Sequence, residues 1–287
     1  MEFTRVIWAS AHVAGFFVAA YVANFPNLTR RFSFLARIRL ISIARTCAIA
    51  ILAKEGFDVS SEQVVFLLDV DNTLLDNDRV IVDLMRHLEN DVGTDQQKRY
   101  WGYFEELRKE LGYADYLGAL QRYRINYPRD FRILAASMYL LDYPFANRLF
   151  PNSLDVIEHL AKFGRTVILS DGDVVFQPHK VERSGLYGAV SGEVLIYIHK
   201  EQELDDVAAR FPAEHYVIVD DKVRILTTVK NAWGARVTTV FPRQGHYAAD
   251  AAEVAKYPPA DITIGRIGDL LAYDFAMLRS AASSKIR

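Results

Sequence analysis

The sequence lacks the cysteines of a disulfide-stapled secreted scaffold. Its single cysteine, Cys47, cannot form an internal disulfide. It also has little net charge: 34 basic and 36 acidic residues give −2 at pH 7, which excludes a general nucleic-acid binder. No internal repeat is present, and 51% apolar residues exclude a disordered or low-complexity chain. The 287 residues suffice for one large domain or two modest ones.

The first 60 residues differ in composition from the rest of the chain. They are net basic, whereas the remaining residues are net acidic, a division that indicates two pieces with different roles. The uncharged apolar run from Val6 to Phe25 has the length that spans a bilayer, about 20 residues. Arg30 and Arg31 follow it, which would keep the C-terminal side in the cytoplasm.

Several interpretations of this N-terminal segment, residues 1–62, stay open. It could be a membrane anchor, a signal peptide with Arg5 in its charged region, or helices packed on the soluble domain. It could also be an extension outside the working protein. The stretch Ile38–Ala53 could form a basic amphipathic helix on a membrane surface. We favour packed helices or a superfluous extension, because the run is only moderately hydrophobic, and we expect a cytoplasmic protein.

From Gln63 onward, the pattern predicts a sheet with helices. Val64–Leu68 is a short continuous apolar run, typical of a buried strand, and residues 79–142 have helical spacing throughout. Strand and helix patterns then alternate, with strands predicted at 166–169, 194–198, 216–219, 237–241 and 262–264. This alternation predicts an α/β fold with a parallel sheet. The helical block is an insertion after its first strand.

Polar side chains follow each of the first four predicted strands. They are Asp69, Asp71 and Thr73, then Ser170, Asp171, Gly172 and Asp173, then His199 and Lys200, and finally Asp220, Asp221 and Lys222. Because the carboxyl ends of parallel strands share one edge, we expect these residues to converge there. A single aspartate could be a helix N-cap, but four such ends indicate a functional site.

The residue types at this edge fit phosphate chemistry. Clustered carboxylates repel one another unless a cation lies among them, and oxygen ligands suit Mg²⁺. A lysine and a serine hydroxyl can hold a phosphate. Asp69 and Asp71 are two residues apart, so on an extended backbone they face the same side. One could act as a nucleophile and the other could donate a proton to the leaving alcohol.

These motifs resemble those of the haloacid dehalogenase superfamily. The segment Val65–Leu74, VFLLDVDNTL, is similar to its first motif, hhhDxDxT. Ser170, Lys200 and the pair Asp220–Asp221 resemble the second, third and fourth motifs, and the similarity spans residues 63–275. It implies a Rossmann-like core, residues 63–78 and 150–287, with a helical C1-type cap at 79–149. It also implies a Mg²⁺-dependent hydrolase or phosphatase.

The resemblance implies a role for each matching position. Asp69 would be the nucleophile, Asp71 the general acid and then the base, and Lys200 would neutralise charge on the nucleophile and phosphate. The substrate-binding group would be Thr73, which orients Asp71 or packs the turn, and Ser170 with the backbone N–H groups of Asp171 and Gly172. The Mg²⁺ ligands would be Asp69, the Asp71 carbonyl and Asp221, with Asp220 in support.

The sequence departs from the family pattern at three places. Glu201 follows Lys200 where proline is often found, and Lys180 remains a rival for the role of Lys200. The fourth motif lacks a later aspartate, because position 225 is Ile225. Asp173 either caps the next helix or touches the substrate.

We expect an enzyme that hydrolyses a small phosphorylated metabolite, with Mg²⁺ as cofactor and no nucleic-acid partner. Asp71 argues against dehalogenation, since a leaving halide needs no proton. A phosphomutase, another hydrolase of this family and a non-catalytic binding module remain alternatives. The tyrosines and arginines of the insert are expected to form an aromatic core beneath a charged face.

Overall fold

The computed structural model describes residues 62–274 and 276–278. The predictions for the N-terminal run, its possible membrane contact and its helices concern residues outside this part of the chain. Among the helices that the structure describes, none combines the length and the apolar character needed to cross a membrane.

The described residues form a six-stranded sheet with helices on its faces. The strands are β1 (Glu62–Leu68), β2 (Arg165–Asp171), β3 (Val194–Tyr197), β4 (Ala213–Val219), β5 (Val237–Pro242) and β6 (Ile262–Ile264). The helices are α1 (Asn77–His87), α2 (Thr94–Leu111), α3 (Tyr116–Asn126), α4 (Ile133–Asp142), α5 (Ser153–Leu160), α6 (Phe176–Arg183), α7 (Leu186–Ala189), α8 (Leu204–Arg210), α9 (Val223–Trp233), α10 (Gly245–Ala249) and α11 (Ala251–Val254).

The sheet is parallel throughout, in the order β3-β2-β1-β4-β5-β6. This confirms the predicted α/β class with a Rossmann-like core. Residues Val64–Leu68 of β1 are all apolar because both faces of the strand are covered here: Phe66 and Leu68 belong to one hydrophobic cluster, whereas Val65 and Leu67 belong to the other. Buried in this way, β1 fixes the position of the residues that follow it.

The order of the strands determines which loops meet. β1 pairs with β2 on one side and with β4 on the other, so strands β2 and β3 extend the sheet in one direction from β1, and β4 to β6 extend it in the other. Ligand sites of open α/β sheets lie outside the carboxyl ends of the strands at such a switch point. The residues after β1, β2 and β4, namely Asp69, Gly172 and Asp220, are therefore neighbours.

The helical insert, here residues 77–148, comprises α1 to α4 and a short turn of 3-10 helix at Phe145–Arg148. The spacing predicts that residues 79–142 are helical throughout, but the structure interrupts this block. Gly93 and Gly112 adopt positive φ angles of 121° and 80° and end helical segments. Its interior is aromatic, as expected, with Tyr100, Tyr116 and Tyr123 fully buried.

The insert packs directly against the core through aromatic side chains. The ring of Tyr116 in α3 lies 5.1 Å from that of Phe176, the first residue of α6. Phe176 in turn contacts Phe145, with ring centroids 5.6 Å apart. Insert and sheet edge thus share one hydrophobic cluster, which places α2 and α3 over the polar residues at the strand ends.

Candidate active site

The loop after β1 holds two aspartates at the edge of the sheet. The backbone N–H of Asp69 donates to the Val219 carbonyl of β4 at 3.0 Å, so Asp69 continues the strand pairing. The chain then turns tightly, and the carbonyl of Val70 accepts N–H groups from Leu74 and Leu75 at 3.0 and 2.9 Å. Asp71, within this turn, faces a cavity beneath the insert.

Lys200 lies between two of the predicted carboxylates. Its ammonium nitrogen is 2.5 Å from Asp69 Oδ1 and 2.7 Å from Asp220 Oδ2, and it donates to the Leu169 carbonyl at 3.2 Å. The side chain is buried. Burial alone would lower the pKa of Lys200, but the charges of Asp220 and Asp69 raise it well above its ordinary value. Lys200 is therefore a fixed positive charge beside Asp69.

A cluster of buried carboxylates has the geometry of a cation site. Oxygens of Asp69, Asp220 and Asp221 lie within 4.8 Å of one another. Asp69 Oδ2 and both carboxylate oxygens of Asp221 are buried and find no hydrogen-bond partner among the described residues. Burial raises the pKa of Asp220 to about 6 and that of Asp221 well above its ordinary value. Unpartnered buried oxygens are costly, and a Mg²⁺-sized cation fits this donor set.

Asp71 forms an ion pair with a second lysine, Lys180. Lys180 of α6 is fully buried, and its ammonium nitrogen lies 2.7 Å from Asp71 Oδ1 and 3.1 Å from Asn77 Oδ1. Asn77, at the start of α1, donates to the Tyr116 hydroxyl at 3.2 Å. The two lysines that the sequence left as rivals are thus both in the site, Lys200 on Asp69 and Lys180 on Asp71.

Ser170, Asp171 and Gly172, at the C-terminal end of β2, hydrogen-bond to other protein groups and not to a lysine side chain. Ser170 is buried, and its hydroxyl accepts a hydrogen bond from Gln177 Nε2 at 2.9 Å. Asp171 Oδ1 accepts the backbone N–H of Lys200 at 2.7 Å. The N–H of Gly172 donates to the Tyr197 carbonyl at 2.9 Å, which differs from its predicted use for phosphate. The reason is that β2 and β3 remain paired as far as this glycine.

Two other predicted positions support the loops. Thr73 is completely buried, and its hydroxyl accepts the backbone N–H of Asp221 at 3.1 Å. Thr73 therefore packs the turn and links the first motif to the fourth. It was predicted among the substrate-binding residues, but it has no exposed surface with which to contact a substrate. Asp173 Oδ1 accepts the N–H groups of Val175 and Phe176 at the start of α6, as a capping residue would.

A cavity of about 90 Å³ lies above Asp71 between the insert and the core. Its lining includes Arg108, Tyr113 and Tyr116 from the insert and Gln177, Lys222 and Tyr247 from the core. A neighbouring cavity of about 180 Å³ shares Gly112, Asp171, Lys222 and Tyr247 with it and extends past His199. Arg108, Gln177 and Tyr247 lie outside the four motifs, so no motif of the sequence marks them as site residues.

The segment Gln244–Tyr247 after β5 links the loop after β1 to the insert. Gln244 Nε2 donates to the Thr73 carbonyl at 3.0 Å, and the N–H of His246 donates to Asp78 Oδ2 at 2.8 Å. Tyr247 accepts a hydrogen bond from Arg108 of α2. Gly245, with a φ of 71°, lies so close to Asn72 that a Cβ there would overlap its side chain. The one signal for this segment in the sequence is its position after a strand.

The comparisons with known proteins agree with this geometry. No protein-family model matches the chain, and no curated protein matches it. Among solved structures, the chain is similar to a haloacid dehalogenase-like hydrolase from Burkholderia xenovorans LB400. The two are 61% identical over 74% of this chain and 99% of that one, with a TM-score of 0.72.

Two more distant structures share the fold. The hydrolase YfnB from Bacillus subtilis, solved with bound magnesium, is 17% identical over 73% of this chain and 97% of that chain, with a TM-score of 0.51. An L-2-haloacid dehalogenase is 13% identical over 73% of this chain and 98% of that chain, with a TM-score of 0.54. At these identities the likeness concerns the fold alone, so the reaction has to be argued from the site.

Proposed function

The chain belongs to the haloacid dehalogenase-like hydrolases, and from this premise we propose that it is a Mg²⁺-dependent phosphomonoesterase. Its substrate would be a small phosphorylated metabolite, cleaved through an aspartyl-phosphate on Asp69. The observation that carries the proposal is the position of Asp71. This second carboxylate faces the cavity and is held there by Lys180. A leaving alkoxide needs a proton, whereas a leaving halide does not.

The proposed hydrolysis has two steps, and Asp69, Asp71 and Lys200 each have a separate role in them. Asp69 attacks phosphorus, and the phosphorus–oxygen bond to the alcohol breaks while Asp71 gives the alcohol its proton. Asp71 then takes a proton from water, which attacks phosphorus and releases Asp69 and inorganic phosphate. Lys200, held against Asp69 at 2.5 Å, balances the negative charge of nucleophile and phosphoryl group.

The carboxylate cluster is where the cation would bind. Asp69, Asp220 and Asp221 offer buried oxygens within 4.8 Å of one another. Mg²⁺ bound there would offset their mutual repulsion and stabilise charge on the phosphoryl oxygens. The Ser170 hydroxyl and Gln177 amide, bonded to each other at 2.9 Å, supply neutral polar contacts on the neighbouring wall.

The direct test measures both product classes with the full-length chain. We expect phosphate release from p-nitrophenyl phosphate with Mg²⁺, loss of this release in EDTA, and no chloride release from 2-chloropropionate. The Asp69→Asn variant should lose about 10³-fold or more of the activity. Chloride release without phosphate release would instead identify a dehalogenase.

The Asp71→Asn variant separates the two steps of the reaction. Nitrophenolate leaves without a proton, so this variant should release at most one equivalent in a rapid burst and then stall with Asp69 phosphorylated. With an alkyl phosphate such as glycerol 3-phosphate, the burst should be absent because the leaving alkoxide needs the missing proton. Wild-type turnover of both esters by Asp71→Asn would contradict the assigned role.

A further inference from the structure

Two cations in the cavity contact the same tyrosine. The Arg108 guanidinium of α2 donates to the Tyr247 hydroxyl and lies 5.7 Å from the centre of its ring. The Lys222 ammonium lies 5.1 Å from the same ring centre. Arg108 comes from the insert, whereas Lys222 lies in the loop after β4 and Tyr247 lies in α10, which follows β5. Three separate parts of the fold therefore meet at this point.

These two cations differ from the other lysines of the site in their partners. Lys180 and Lys200 each form an ion pair with an aspartate at 2.7 Å or less. Among the described residues, Lys222 forms no ion pair this short, but the nearby carboxylates of Asp221, Asp69 and Asp220 partly balance its charge. The one ion pair of Arg108 among these residues is a 3.7 Å contact with Glu105 on its own helix. Like charges converging in a partly enclosed cavity repel each other, and an anion between them would remove the repulsion.

The nearest acid on this wall does not supply that anion. Asp171 lines the same cavity, but its Oδ1 already accepts the Lys200 N–H at 2.7 Å. Asp71, on the floor, is paired with Lys180. The positive charge of Arg108 is therefore left for a ligand, and Lys222 on the same wall adds to the attraction for an anion.

The location identifies which part of a substrate would bind there. Arg108, Lys222 and Tyr247 line the cavity that Asp71 faces, and Asp71 must reach the oxygen of the leaving alcohol. A group bound by Arg108 therefore belongs to the leaving alcohol and not to the phosphoryl group beside Asp69. The cavity of about 90 Å³ allows only a short spacer between the two.

Building on the proposed phosphomonoesterase, we infer that Arg108, Lys222 and the Tyr247 hydroxyl form a subsite for a second anionic group on the leaving alcohol. The substrate class is then a short phosphate monoester that also carries a carboxylate or a second phosphate. A guanidinium and an ammonium provide charge-assisted hydrogen bonds to either anion. Neither residue belongs to the four motifs that carry the hydrolytic chemistry.

The test compares esters that differ only at the far end. 3-Phosphoglycerate and glycerol 3-phosphate are matched except that a carboxylate replaces a hydroxymethyl group. Glycerol 1,3-bisphosphate adds a phosphate there instead. With the full-length protein, kcat/KM should be about tenfold or more higher for at least one of the two esters with an anionic far end than for glycerol 3-phosphate, the ratio that one charge-assisted contact supplies. The ester preferred identifies the second anion.

Variants of Arg108 test whether this residue causes the preference for an ester with a second anionic group. Arg108→Gln should bring the ratio of kcat/KM values close to one, mainly by raising KM for the preferred ester, and Arg108→Lys should restore part of it. Lys109→Gln removes the same charge from the next, exposed position of α2 and should keep the ratio. Equal kcat/KM for all three esters in the wild type, or an undiminished ratio in Arg108→Gln, would overturn the subsite.

Calorimetric binding keeps this inference separate from the proposed function. The Asp69→Asn variant lacks the nucleophile but keeps Arg108 and Lys222, so it should bind the preferred ester more tightly than glycerol 3-phosphate by the same ratio. If p-nitrophenyl phosphate is not hydrolysed but this binding preference is found, the phosphatase proposal fails and the anion subsite stands. If hydrolysis is found without any preference in binding, the subsite fails alone.

Discussion

The ammonium group of Lys180 lies 2.7 Å from a carboxylate oxygen of Asp71. This contact joins α6 of the core to the loop after β1, and the same ammonium reaches Asn77 at 3.1 Å, where the insert begins. Lys180 has no solvent exposure, whereas the side chain of Asp71 is 26% exposed towards the cavity. The lysine thus holds the carboxylate from below and leaves its other side open to a substrate.

Replacing Lys180 by Met is predicted to lower kcat by about 10²-fold with little change in KM. The reason is that Asp71 loses its fixed position, and a small misplacement of a reacting group has an effect of this size. The double variant Lys180→Met/Asp71→Asn should be no slower than Asp71→Asn alone, because both changes remove one function. The exposed Lys162→Met serves as control. Additive losses in the double variant would show that Lys180 acts elsewhere.

The unpartnered oxygens of Asp221 lead to a prediction about stability. In EDTA, Asp221→Asn should unfold at a temperature equal to or above that of the wild type, because it removes a buried charge beside Asp220 and Asp69. Mg²⁺ at about 100 times its dissociation constant should stabilise the wild type by about 2.7 kcal/mol. It should not stabilise the variant. Thermal unfolding with and without Mg²⁺ measures both effects, and an equal Mg²⁺ shift in the two proteins would exclude Asp221 as a ligand.

Gly102 within α2 and Gly112 directly after it allow a matched test of the contact between insert and core. Gly112 ends the helix at a φ of 80°, and a Cβ there would lie 2.6 Å from His199 Cε1, whereas a Cβ at Gly102 meets nothing within 4 Å. Gly112→Ala should destabilise the protein by about 1–2 kcal/mol through backbone strain and displacement of His199. Gly102→Ala should stabilise it by up to about 1 kcal/mol. Chemical denaturation compares them, and equal effects would contradict the close approach.

The sequence predicted the part of the site that depends on strand order. Asp69, Lys200 and Asp220 each follow a strand, and in a parallel sheet the ends of adjacent strands meet by geometry alone. Four local motifs were therefore enough to place them together. The contact of Lys180 with Asp71 was not predictable, because a position within a helix does not tell which loop its side chain reaches.

The residues that line the cavity could not be predicted from the sequence for a different reason. Arg108 and Tyr247 are 139 positions apart and are brought together by the docking of the insert on the core. The helical spacing of the insert separates a buried face from an exposed one, but Arg108 lies at the border of the two. The hydrogen bond from the Gly172 N–H to the Tyr197 carbonyl was also not predictable from the sequence. It depends on where β2 and β3 stop pairing, and the ends of strands are the feature that a sequence predicts least well.

The contact between α1 and the C-terminal end of the insert should respond to acid through Asp83. Burial raises the pKa of this carboxyl, but hydrogen bonds from Tyr143 and Arg148, each 2.6 Å from Asp83 Oδ2, bring it below its ordinary value. A lowered pKa means that the folded state holds this proton less tightly than the unfolded state does. The carboxylate therefore adds stability above about pH 4 and loses it as the pH falls through its folded-state pKa. Asp83→Asn should cost about 2 kcal/mol at pH 7 and progressively less below pH 4, whereas Glu106→Gln, at an exposed position of α2, should show no such trend. Urea unfolding from pH 7 to pH 3 measures the difference, and a cost that does not change with pH would show that the contact depends on shape and not on charge.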